Sequence, residues 1–214
     1  MRYKQGAVIR KVIPFSRFTS FQGIFKVQFS IELIMESRHC QSLNIMGYFW
    51  YIKFMKYLSD QEEKNAIHWF SEAANIAKKA LCQKAKCGTV IIKEGIIIGR
   101  GYNAPPLDDE KNRRCGDIRT GGKPKYDQTC CMHAEWRAII DALKNNSDKV
   151  YGSKLYFTRV NNEGKQIKSG EPFCTVCSRL ALDVGISKFI LYHEDGICEY
   201  DTDEYDKLSY FYNN

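Results

Sequence analysis

The stretch Thr129-Cys130-Cys131-Met132-His133-Ala134-Glu135-Trp136-Arg137-Ala138-Ile139-Ile140 decides how the rest of the chain is read. His133 and Glu135 stand two apart, directly before an apolar helical run of Ala138, Ile139, Ala142 and Leu143. About forty residues on, Gly170-Glu171-Pro172-Phe173-Cys174-Thr175-Val176-Cys177-Ser178-Arg179 opens a second such run, Leu180, Ala181, Leu182 and Val184. One imidazole and two thiolates make a three-donor zinc set. Three protein donors leave the fourth tetrahedral position open to water, as in a catalytic rather than a structural zinc. Glu135 adds a carboxylate placed to move protons. Singly, neither motif decides. His-Ala-Glu at a helix start recurs by chance, and a lone Cys-x-x-Cys serves equally as half a structural zinc site or as a redox pair. Their order, each followed by a helix, is what makes the pair specific.

The chain has 214 residues, room for one domain with a sizeable core and an appendage. Its 9 cysteines follow no small secreted pattern and read as thiols kept reduced in a cytoplasm. No stretch reaches the eighteen or so apolar residues of a membrane span. The net charge of +7 is uneven. Residues 1–54 carry eight Lys/Arg against two Glu, and the remainder 24 against 23, so +6 sits in the first segment and +1 in the rest. A chain that grips nucleic acid through many phosphates shows a basic face. The near-neutral remainder weighs against one without forbidding it.

Residues 1–54 are basic and rich in Phe and Tyr, with no clean alternation or helical period. Three readings stay open: a start placed too far upstream of Met55, an organelle-targeting segment, or an accessory segment. The expected catalytic domain is therefore 55–214. Ser59 or Asp60 reads as an N-cap ahead of Glu62 and Glu63, and apolar spacing from Ala66 to Leu81 predicts a helix of about twenty residues. The β-branched runs of 87–103, hinged at Lys93-Glu94-Gly95, predict a hairpin in a sheet covered on both faces. Residues 104–129 form a long connection with interleaved acids and bases, and a loop of that length is usually functional or disordered. Beyond the first zinc helix lie a strand at Lys154–Thr158, a small hairpin extension at 160–167, the second zinc helix and a strand at Lys188–His193. The acidic, tyrosine-rich C-terminus is left unplaced.

The His-x-Glu and Cys-x-x-Cys pair resembles the zinc-dependent cytidine and deoxycytidylate deaminase superfamily, over roughly Asp60 to His193. The resemblance implies an α/β fold, a three-layer α/β/α sandwich around a mixed central sheet. The element order alone says only α/β or α+β. It implies His133, Cys174 and Cys177 as zinc ligands, Glu135 as the proton carrier, Asn103 on the substrate sugar and the backbone at Ala134 against the base. Asn103 also reads as a simple turn residue before Pro105-Pro106. Trp136, Tyr156 and Phe157 are candidates to stack on the base, although at least two of the three fit the core better. The implied reaction is hydrolytic release of ammonia from a cytosine nucleotide, dCMP to dUMP first of all, in a homo-oligomer that binds no membrane. Two alternatives stand beside it. One is a nucleic-acid editing deaminase acting on transfer-RNA adenosine or single-stranded-DNA cytosine, which needs a basic track. The other is a non-catalytic zinc-stabilised interaction module, which has no use for Glu135. Two departures from the family's pattern, the 160–167 extension and Phe173 between Pro172 and Cys174, bear on the subfamily and hence the substrate. The connection is expected to supply one or two phosphate contacts, with Arg113, Arg114 and Lys125 as candidates. Cys115, Cys130 and Cys131 read as buried thiols. Some members of the family carry a second, structural zinc near this insert, but adjacent cysteines are poor zinc spacing and no partnering His is evident.

Overall fold

A computed structural model describes residues 55–115 and 129–212 of the chain. The 1–54 segment, and with it the domain boundary at 54/55, lies outside the described residues, as does Lys125. In chain order the elements are β1 (Lys56–Tyr57), α1 (Asp60–Ala77), β2 (Lys86–Lys93), β3 (Ile96–Tyr102), α2 (Ala134–Asn145), β4 (Lys154–Val160), β5 (Gln166–Ile167), α3 (Thr175–Asp183), β6 (Lys188–His193), β7 (Gly196–Asp201) and α4 (Thr202–Tyr210). Two 3-10 turns, Pro106–Asp108 and Glu110–Asn112, lie in the connection after β3.

The strands form one sheet in the order β1-β7-β6-β4-β2-β3, with β5 paired to the end of β4. Among the described strands only β4 and β6 run parallel, joined by the crossover that contains α3; the other pairs are antiparallel. The sheet is mixed, and each face is covered. Ala66, Phe70 and Ala73 of α1 pack on Val90, Ile92, Tyr156, Ile190 and Ile197. Ala138, Ile139 and Ala142 of α2, Ala181 of α3 and Tyr205 of α4 pack on Ile91, Leu155, Phe189, Leu191 and Tyr200. Successive strand residues point to opposite faces. A sheet sandwiched between helices must therefore be apolar at consecutive positions, and Val90-Ile91-Ile92 alternates α1, α2, α1. The α/β/α sandwich with a mixed sheet is the observed architecture.

Two local features set the helices. The β2–β3 turn has Glu94 at φ 51 and Gly95 at φ 74, the doubly positive backbone that matches the twist of a two-residue hairpin. On β3, Gly99 and Gly101 share one face and bring α2 down onto the strand backbone. A Cβ at Gly101 would stand 2.1 Å from the Ala134 carbonyl oxygen, and one at Gly99 2.3 Å from that of Ala138. Any side chain there would push the helix away.

The sequence reading left the C-terminus unplaced and did not foresee β1. The structure pairs β7 with β6 and sets α4 against α3, while β1 pairs with the outer edge of β7. Glu199 of β7 receives Lys154 of β4 at 2.8 Å and Lys188 of β6 at 3.5 Å, which matches an acid of this segment to lysines on the two strands beyond it.

Candidate active site

Both helices that start with the quoted motifs begin at the same place. His133 is the N-cap of α2 and Cys174 the N-cap of α3. The His133 Nδ1 lies 3.1 Å from Cys177 Sγ and 3.5 Å from Cys174 Sγ, and the Cys177 backbone N–H donates to Cys174 Sγ at 3.4 Å. The three donor atoms lie within 4.8 Å of one another. In a tetrahedral zinc site with Zn–S near 2.3 Å and Zn–N near 2.1 Å, donors stand about 3.5 Å apart, so the set fits that ion. The indole of Trp136 stacks on the His133 ring at 4.6 Å between centroids, 13° from parallel, and limits how the imidazole can turn.

Glu135, one turn residue inside α2, is 6% exposed. Burial raises its carboxyl pKa above the ordinary value, and the Cys177 side chain bonds to it. Among the thiols, the hydrogen bond from Cys177 first, then the one with His133, lowers Cys174 to about 4. Burial pushes Cys177 well up. His133 is raised, chiefly by its bond to Cys174. A bound dication would hold both sulfurs as thiolates.

Other residues singled out from the sequence fare differently. Asn103 is buried at the end of β3, but its amide is already engaged: Cys87 N–H donates to Oδ1 at 2.8 Å, and Nδ2 donates to the Ala85 carbonyl at 2.7 Å. Only one amide proton is left over for anything else. Ala134 is buried as the first residue of α2. Tyr156 packs edge-on to Phe70 beneath α1, on the far face of the sheet from α2, and Phe157 packs against the core on the α2 side. In the connection, Arg113 pairs with Glu110 at 2.5 Å and donates to the Leu81 carbonyl, so its charge is taken up locally. Arg114 donates to the carbonyls of Lys111 and Arg113. Arg137 of α2 reaches back to pin the connection, bonding Asp108 at 2.7 Å and the Pro105 carbonyl at 2.8 Å. Tyr102 donates to the same Asp108.

Residues 63–193 match the family model described as the cytidine and deoxycytidylate deaminase zinc-binding region. The chain belongs to this family. It is similar to a deoxycytidylate deaminase of Schizosaccharomyces pombe, 28% identical over 131 residues, which are 58% of this chain and 36% of that one. It is also similar to a deoxycytidylate deaminase of Mycobacterium phage D29, 27% identical over 125 residues, 55% of this chain and 86% of that one. The chain thus spans about a third of the yeast relative and most of the phage relative. Among solved structures, the dCMP deaminase of cyanophage S-TIM5 in complex with dCMP and dUMP aligns at 22% identity over 62% of this chain and 82% of that one, TM-score 0.43.

Within this deaminase-family site, several supporting contacts are not visible in the sequence. Phe173, the extra residue between Pro172 and Cys174, is held from behind: its backbone bonds to the Tyr205 hydroxyl, and its exposed ring meets Tyr212 edge-on at 5.2 Å. Ser178, next to Cys177, donates to Asp206 of α4 at 2.7 Å and contacts Ser209. The C-terminal segment therefore fixes the start of α3. The available signal was the spacing of Tyr205 and Ser209, which places both on one helical face. Cys87 lies close enough to feel the Glu135 charge, and burial, followed by that charge, raises its thiol to about 12.

Proposed function

We propose that this chain is a zinc-dependent hydrolytic deaminase that converts dCMP to dUMP with release of ammonia. The observation that carries the reading is the meeting of two helix starts, which sets His133, Cys174 and Cys177 within 4.8 Å beside a buried Glu135. Membership in the family and similarity to chains named deoxycytidylate deaminase support the substrate class. A zinc ion held by His133, Cys174 and Cys177 would supply acidity, making hydroxide available from water near neutral pH. Glu135 then has two tasks. It takes the proton that the water gives up and delivers it to the ring nitrogen next to the amino-bearing carbon; it then takes the remaining proton of the newly added hydroxyl, as the carbonyl forms, and passes it to the departing amine. Its raised pKa suits a group that must hold a proton between those transfers. Water adds at the ring carbon, the C–N bond breaks, and ammonia and a uracil ring result. The stack of Trp136 on His133 keeps the imidazole oriented.

Zinc-loaded protein tested for ammonia release from dCMP, CMP, deoxycytidine, cytosine, guanine, transfer RNA and single-stranded DNA decides the reading. One charge-assisted phosphate contact contributes roughly 1.5–3 kcal/mol. Catalytic efficiency on dCMP is therefore expected to exceed that on deoxycytidine by about ten- to a hundredfold. Equal efficiencies would remove the monophosphate from the proposal. No ammonia from any cytosine compound would remove the deaminase.

A further inference from the structure

One end of the sheet carries a row of residues that extends beyond the groups used so far. Cys87 of β2 stands opposite Arg159 of β4, and Arg159 stands opposite Ile167 of β5. The Asn103 N–H donates to the Cys87 carbonyl, which adds Asn103 to the other end of the row. Residues directly opposed on neighbouring strands share a face, as do residues two apart along one strand. Leu155 and Phe157, four and two residues before Arg159, pack with α2 and α3. Gly99 and Gly101, before Asn103, lie directly beneath α2, with Gly101 under its first residue, Ala134. Asn103, Cys87, Arg159 and Ile167 therefore line the face of α2 and α3, at the end of the sheet where those helices begin with His133, Glu135 and Cys174.

Cys87 ties this row to the site. Burial, then the Glu135 charge, raises its thiol, and the Arg159 charge acts the other way, so both groups lie within electrostatic reach of one side chain. Arg159 itself is exposed, and among the described residues no hydrogen bond or ion pair takes up its guanidinium. The cations to which the sequence pointed are engaged within the connection instead: Arg113 by Glu110 and the Leu81 carbonyl, and Arg114 by the carbonyls of Lys111 and Arg113. Neighbouring strands lie about 4.8 Å apart, so Arg159 stands about 10 Å across the sheet from Asn103, a separation comparable with that between the base and the 5′-phosphate of a nucleotide. The strand pairs on both sides of Arg159 fix its backbone. One of them is β5, which belongs to the 160–167 extension by which this chain departs from its family's pattern.

We propose that Arg159 binds the 5′-phosphate of the nucleotide substrate, and that the 160–167 extension holds it in the sheet for that task. The inference rests on the deaminase reading above and names the residue that sets the preference for nucleotide over nucleoside. The guanidinium offers paired N–H donors in a planar fork that matches two phosphate oxygens, and a charge-assisted pair of this kind is among the stronger hydrogen bonds a protein makes. A single exposed arginine suits a free monophosphate, whereas a polynucleotide backbone calls for a track of cations.

The test measures binding of dUMP and of deoxyuridine to the zinc-loaded full-length chain by calorimetry, in wild type and in Arg159→Gln, with ammonia release from dCMP and deoxycytidine followed on the same samples. Wild type is expected to bind dUMP about ten- to a hundredfold more tightly than deoxyuridine, the contribution of one charge-assisted contact. Arg159→Gln is expected to lose about tenfold or more in dUMP affinity and to bind deoxyuridine as wild type does, with an unchanged melting point. An undiminished preference for dUMP in Arg159→Gln would overturn the proposal and leave the deaminase reading in place. Equal affinities for the two ligands in wild type would overturn it too, as would loss of both ligands together in the variant, which is the mark of a structural residue. No ammonia from any cytosine compound in wild type removes the deaminase reading itself, and this assignment with it.

Discussion

Glu135 is placed where a carboxylate is costly to keep and useful to have. Its replacement by Gln preserves shape and hydrogen-bonding reach but cannot carry a proton. Glu135→Gln is expected to lower kcat by about 10²–10⁴ while the zinc content stays unchanged. A variant that keeps activity within tenfold of wild type, with zinc bound, would remove Glu135 from the proton path. The motif residues were legible in the sequence because each pair lies on one short stretch, and a helix start converts spacing of two or three residues into a fixed geometry. Arg113 was not legible as a neutralised charge, because its pairing with Glu110 depends on how the 3-10 turn folds back. Asn103 is a similar case: the backbone groups of Ala85 and Cys87 that occupy its amide lie on a separate stretch of chain.

At the scale of elements, the distance between α2 and β3 decides where His133 and Glu135 stand. Gly101→Ala puts a methyl 2.1 Å from the Ala134 carbonyl, so the helix must lift. Overpacking of this kind costs roughly 1–3 kcal/mol, which is a melting-point drop of about 2–4 °C per kcal/mol for a domain of this size. Weaker zinc retention is expected as well, because α2 carries one of the three donors. Gly170→Ala is the control, with nothing within 4 Å of the new methyl. A calorimetric scan and metal analysis of both variants check this; equal melting points would mean that α2 tolerates displacement. The long helices and the β2–β3 hairpin could be read from periodicity and the tight turn. The C-terminal elements could not. β7 contains Glu199, whose charge is met by lysines of β4 and β6, and α4 is short, with its packing carried by Tyr205.

For the whole molecule, two expectations concern what the fold needs. Cys174→Ser should lose the zinc of the helix-start site and, because folding and metal binding are linked, also lose thermal stability. Full zinc occupancy in that variant would exclude Cys174 as a ligand. A protein beginning at Met55 is expected to keep its fold and its ammonia release, since Met55 already packs against the core and β1 follows directly. Loss of solubility or activity in that shortened chain, where the full chain works, would make residues 1–54 part of the folded unit. The layer architecture was open to sequence reasoning because consecutive Val and Ile demand helices on both faces. The strand order was not, because it depends on a parallel pairing of β4 with β6 that no local signal marks. That order also has a consequence in time. The first strand of the sheet pairs with the last, through only two residues on each side and across about 140 residues of intervening chain. This edge must form late and open early. In native-state amide exchange, the Leu58 N–H bonded to Ile197 should lose its protection well before the amides of β2 and β4, so the molecule breathes from that side while the two helix starts stay closed.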